Sequence, residues 1–172
     1  MLLVGVAEEK EMNSKMPLEN FLQRWRFKKA IPYLHGRVLD FGGNKGELGY
    51  FAKTSSYEYV NNIFDVHGLY DSIACLAVLE HMNFALGRTT LLMLATHLYT
   101  GGKIVITTPL KISNPILRFL AWWGLLDKQN IAEHTRYWTR EEFYIFKELA
   151  KMEIKYSRFQ FGLNQLIILR KP

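Results

Sequence analysis

The stretch Arg37-Val-Leu-Asp-Phe-Gly-Gly-Asn-Lys-Gly-Glu-Leu-Gly-Tyr-Phe51 decides how the rest of the chain is read. Val38–Phe41 is a short apolar run of the kind found in buried strands, Gly42-Gly43-Asn44-Lys45-Gly46 a tight turn, and Glu47–Lys53 the start of a helix. Glycines open backbone angles closed to other residues and let a ligand approach the main chain. A helix starting there would aim free N–H groups at that ligand. On its own such a turn fits a plain strand-to-helix connection as well as a ligand loop.

Outward from it, strands and helices alternate. Glu19–Leu34 places Phe21, Leu22, Trp25, Phe27, Ile31 and Leu34 near one helical face, and Gly36 closes it. Tyr57–Phe64 is rich in aromatic and β-branched residues, as strands are. Ser72–Val78 and Lys103–Thr107 are continuous apolar runs suited to strands buried on both faces, with a helix over Leu86–Tyr99 between them. Thr139-Arg-Glu-Glu142 has the form of a capping box and opens a helix to about Lys151. Glu153–Phe161 and Asn164–Arg170, joined at Gly162, form an antiparallel hairpin. This alternation predicts a single α/β domain over residues 1–172, with a doubly wound, mostly parallel sheet ending in that hairpin. Residues 1–18 stand as an N-terminal extension and 110–138 as an apolar insertion. Ligands of such sheets sit outside the carboxyl ends of the strands, so the loop after Asp40 is the expected site.

Composition narrows the function classes. The one cysteine, Cys75, lies in an apolar run, which excludes an internal disulfide framework and fits a cytoplasmic setting. Glu8, Glu9 and Lys10 cut short the opening apolar residues, giving neither a signal-peptide core nor a membrane span. The net charge of +6 favours anionic partners, but its lysines and arginines are scattered. Arg24, Arg26, Lys28 and Lys29 read as a solvated helix face, with a binding patch as the competing reading. Neither an Asn-Pro-Pro-Tyr-like target-base motif nor an interleaved aromatic-basic patch is present, so nucleic acid is not an expected partner.

Four further stretches join the glycine loop in an ordered set. They are Leu76-Ala-Val-Leu-Glu-His-Met82, Gly101-Gly-Lys-Ile-Val-Ile-Thr-Thr-Pro109, His134-Thr-Arg-Tyr-Trp-Thr-Arg-Glu-Glu-Phe143 and the closing Phe161–Pro172. With Val38–Leu48 they resemble, in order and approximate spacing, the motifs of class I S-adenosylmethionine-dependent methyltransferases, in particular the small type 11-like group. The resemblance covers the chain from about Trp25 onward and implies a Rossmann-like methyltransferase sheet with S-adenosyl-L-methionine as cofactor. It implies that Asp40, Phe41, Gly42, Gly43, Asn44 and Gly46 hold the methionine part of that cofactor. Leu76 and Ala77 would line the opposite wall. A small-molecule, glycan or lipid-linked acceptor is the substrate class it implies.

Methyl transfer asks a protein mainly to align an in-line attack and to remove a proton from the nucleophile. Imidazole titrates near neutral pH, which makes His134 the first candidate base and His81 the second. A structural role for either, as a loop cap or a residue packed on the sheet, is the competing reading. Glu80 and His81 alone do not make a metal site, and none is expected.

The chain departs from the family pattern in three places. Asn44 stands where a middle glycine is usual, and Asn is the non-glycine residue most tolerant of left-handed geometry. The acid that would bind ribose falls late, at Asp65, with Asn61 and Asn62 in the nearer positions. Only five residues separate Asp65 from Asp71, whereas a parallel crossover needs about ten or more. The third strand of the family and its preceding helix are therefore expected to be missing, leaving Tyr57–Phe64 as an open edge. Two outcomes follow: a trimmed enzyme completed by self-association or a partner protein, or a methyltransferase-fold binding protein without chemistry. The apolar run Ile116–Leu126 is either a helix packed on the sheet or a lid that touches a membrane surface, with Arg118 and Lys128 near headgroups.

Overall fold

The computed structural model describes residues 17–43, 46–126 and 136–172. Asn44, His134 and Lys128, and all but the end of the expected N-terminal extension, lie outside the described residues. The chain opens with helix α1, Pro17–Ala30, which passes into a single 3-10 turn at Ile31–Tyr33. The expected helix to Leu34 stops early because Pro32 has no N–H for the α-helical ladder and crowds the preceding turn.

Strand β1 is Arg37–Phe41, β2 Ser56–Val60 and β3 Tyr70–Leu76. Helix α2 spans Phe84–Thr96, its first turn capped by Asn83, whose side chain accepts from Leu86 N at 2.9 Å. Strand β4 runs from Leu98 to Pro109, longer than expected, with a register shift opposite Tyr70–Ser72. Helix α3 covers Asn114–Trp122, α4 Arg140–Ala150, and the hairpin strands are β5, Glu153–Phe159, and β6, Asn164–Arg170.

These strands form one sheet in the order β2-β1-β3-β4-β6-β5, parallel from β2 to β4 and antiparallel across β6 and β5. Between β2 and β3 there is a 3-10 turn at Ile63–Asp65 and no strand, so the third family strand is absent and β2 is the edge. Strand β2 ends at Val60 rather than Phe64. There Asn62 accepts a hydrogen bond from Phe64 N at 3.1 Å and turns the chain away from the sheet.

The two-residue period of the strands divides the core into two layers. Leu39, Phe41, Ile73, Cys75, Ile104, Ile106, Ile167 and Leu169 pack with Leu91 and Leu94 of α2 and Phe143 and Phe146 of α4. Val38, Ala74, Val105, Leu166 and Ile168 point the other way and pack with Phe27 and Ala30 of α1. The sheet is thus covered on both faces, as the doubly wound reading requires. Strand parity also assigns Asp40 to the α1 face, beside Val38, and Phe41 to the opposite one.

Candidate functional site at the carboxyl ends of the strands

A cavity of about 320 Å³ opens between α1 and the carboxyl ends of β1, β3 and β4. That volume lies at the low end of the range of about 300–1,000 Å³ usual for small-ligand sites. Asp40, Gly42, Gly43, Leu76, Ala77 and His81, all candidates from the sequence, line it together. Glu80, buried, and the exposed His81 come from a 3-10 turn at Leu79–His81 just beyond β3.

The loop after β1 is shaped by close contacts. Gly42 has φ +74° and donates its N–H to Val60 O at 2.8 Å, tying the loop to the end of β2. A Cβ on Gly43 would fall 2.1 Å from Asp40 Oδ2, so only glycine lets the main chain fold over that carboxylate. Opposite, Ala77 holds φ +58° while donating to Thr107 O at 2.9 Å. Left-handed geometry costs an alanine about 1 kcal/mol, and residues held this way concentrate at ligand sites.

The expected helix after the loop is corrected by the structure: Glu47–Tyr50 forms one 3-10 turn. Gly46 and Gly49 weaken helix formation across this short stretch, and the Tyr57 ring presses where a Gly49 Cβ would sit. The site therefore has no full helix N-terminus behind the loop. It has carboxylates instead.

Asp40 is buried, and its Oδ2 accepts a hydrogen bond from the Tyr57 hydroxyl at 2.6 Å. Burial pushes the Asp40 carboxyl up to about 6; the Tyr57 hydroxyl pulls it down and the nearby Glu47 carboxylate pushes it further up. Burial likewise raises the Tyr57 hydroxyl, reinforced by the Asp40 charge. Glu80 is also driven up by burial, opposed by a backbone hydrogen bond, the Arg26 guanidinium, His81 and Thr108. Burial in turn lowers Arg26, which Glu80 partly offsets.

The sequence reading missed the contribution of α1. Glu19, Gln23 and Arg26 all line the cavity, and Gln23 donates to Glu47 across it. Their spacing of four and three residues puts them on one helical face, a signal present in the sequence. Arg26 is thus not part of a solvated basic face. The far wall is polar as well: Gln160 donates to Leu22 O at 2.8 Å and accepts from Asn164 at 2.6 Å. Leu117 and Leu126 add an apolar part to the lining.

Three candidates lie apart from the cavity. Phe41 is buried in the α2–α4 layer, as strand parity dictates. Gly46 packs against the Tyr59 ring of β2. Asp65 is exposed on its 3-10 turn, and the Asn62 side-chain Oδ1 accepts from Phe64 N. Among the described residues no cluster of three or more His, Cys, Asp or Glu could hold a metal ion.

A family model described as a methyltransferase domain matches residues 13–145. No curated protein matches the chain. Among solved structures it is similar to a SAM dependent methyltransferase from Archaeoglobus fulgidus, with TM-score 0.66, 15% identity and coverage of 87% of this chain and 93% of that one. N-methyltransferase NodS from Bradyrhizobium japonicum WM9, in complex with S-adenosyl-l-homocysteine, gives TM-score 0.59 and 13% identity over 95% of this chain and 96% of that one. An O-methyltransferase family protein from Burkholderia thailandensis gives TM-score 0.64 and 11% identity over 96% of this chain. The chain spans only 59% of that protein's length.

Proposed function

Because the chain belongs to the methyltransferase-domain family, we propose that it transfers a methyl group from S-adenosylmethionine to an oxygen or nitrogen of a small-molecule, glycan or lipid-linked acceptor. The observation that carries this reading is the carboxylate-lined cavity at the ends of β1 and β3. S-adenosylmethionine supplies an electrophilic methyl on a sulfonium, next to an ammonium and a carboxylate. The residues present fit its methionine end. Asp40, reached over the Gly43 main chain, would accept from the ammonium, and Arg26 offers a guanidinium to the carboxylate. Burial makes both partners stronger than they would be in water, once paired.

Proton removal falls to His81 among the described residues, because it is exposed at the cavity wall and can pass a proton to solvent. Glu80, buried behind it, holds the turn and helps set the charge around Arg26. A second reading has its own support. For the nucleoside end of the cofactor neither nearby acid lines the cavity: Glu58 of β2 pairs with Arg37 and accepts from the Tyr70 hydroxyl, and Asp65, on the turn after β2, is exposed. A binding protein of the same fold, without turnover, would show that feature too.

Calorimetric titration with S-adenosylmethionine and S-adenosylhomocysteine tests the proposal. Saturable binding of both is expected. A folded chain that takes up neither at millimolar concentration would eliminate the enzyme and leave the binding protein.

A further inference from the structure

Helix α3 presents an apolar face to the outside. Phe119 is 57% exposed, Trp122 71% and Trp123 64%, and Ile112 and Ile116 extend the same stripe at helical spacing. The three aromatic rings lie against one another, with centroids 5.8–6.4 Å apart, so the patch is continuous. Soluble surfaces rarely leave so many large aromatic side chains together without a partner.

Within the described segment the charge is of one sign. From Lys111 to Leu126 the sequence holds Lys111 and Arg118 and no acidic residue, and both basic side chains are exposed. Tryptophan and phenylalanine beside lysine and arginine are what settles at the boundary between acyl chains and headgroups. A protein partner would require an apolar surface of matching shape; an anionic lipid surface requires only this combination. Among the described residues no helix is long and apolar enough to cross a membrane, so contact would be with the surface.

We infer that α3 docks the chain on anionic lipid, with Phe119, Trp122 and Trp123 inserted among the acyl chains and Lys111 and Arg118 at the headgroups. The opposite face of the same segment supplies Leu117 and Leu126 to the cavity. Docking therefore puts the segment that forms part of the cavity wall at the lipid surface. Lipid binding itself stands whether or not the cofactor binds.

The test is cosedimentation with vesicles of phosphatidylcholine alone and of phosphatidylcholine mixed with phosphatidylglycerol. Binding is expected to the anionic vesicles, weakening as salt rises. The exposed pair Phe119→Ser/Trp122→Ser should lower partition about tenfold or more, since each ring carries a large apolar area. Arg118→Glu should weaken binding to anionic vesicles only. In the unaltered chain, lipids brominated along the acyl chain should quench tryptophan fluorescence. Absence of binding to anionic vesicles would overturn the inference. So would binding that the double variant leaves unchanged, or self-association that this variant abolishes without any vesicle binding in the unaltered chain.

Discussion

Asp40 illustrates what a buried carboxylate costs the chain in stability. Its carboxyl titrates near 6 in the folded state, above its unfolded value near 3.8. The folded chain therefore holds this proton more tightly, and the contribution of Asp40 to stability falls as pH rises from about 4 to about 6. Asp40→Asn keeps an acceptor for the Tyr57 hydroxyl and removes the buried charge. It should raise the unfolding midpoint at neutral pH, by on the order of 1–3 kcal/mol of stability, with little change near pH 4. Cofactor affinity should move the other way, weaker in the variant and, in the parent, lost as pH falls below about 6. Thermal unfolding at both pH values, with calorimetry, checks both signs; a variant destabilised at neutral pH with undiminished affinity would refute the assignment. At this scale the sequence was legible where strand parity and glycine contacts act. Asp40, Gly42 and Gly43 follow from a strand ending in a tight turn. The place of Asp65 outside the cavity does not, because a change of chain direction by one 3-10 turn is set by the Asn62 cap and not by spacing.

Local signals served unevenly at the scale of the element. The Thr-x-x-Glu pattern before α4 is self-contained, and the capping box it specifies is present: Glu142 N donates to Thr139 Oγ1 at 3.3 Å and Thr139 N to Glu142 Oε2 at 2.8 Å. Thr139→Ala should cost about 1 kcal/mol in denaturant unfolding. A loss well below that would mean that the buried Phe143 and Phe146 alone hold the helix start. The helix foreseen at Glu47–Lys53 shows the opposite case. Gly46 at its N-cap, Gly49 within it and the Tyr57 ring, a contact from β2, limit it to a single turn. Helix α1 was foreseen almost in full, but its role was not. Arg24, Arg26, Lys28 and Lys29 were grouped by charge along the chain, whereas the cavity selects Glu19, Gln23 and Arg26 by angle around the helix.

For the whole molecule, a length argument gave the main departure from the family, since five residues cannot carry a crossover. The loss also changes the surface. The far edge, β5, carries Glu153, Lys155 and Arg158, charges that discourage strand addition. At the β2 edge, Tyr59, Tyr50 and Phe64 stand exposed beside the flank where the missing unit would lie. We propose that a second copy or a partner protein covers this edge and that cofactor binding and assembly promote each other. Sedimentation with and without S-adenosylmethionine should show a larger species in its presence; a strict monomer at all concentrations would exclude self-association. One consequence of the strand order concerns time instead of space. Strand β6, made after every other element, is inserted between β4 and β5 and buries five consecutive residues, Gln165–Leu169. A chain emerging from the ribosome at about 5–20 residues per second therefore holds β4 with one flank unpaired, and β5 with no neighbour, until β6 clears the exit tunnel. The seam between β4 and β5 closes only once β6 is in place, and exposure to chaperones and proteases is greatest before that.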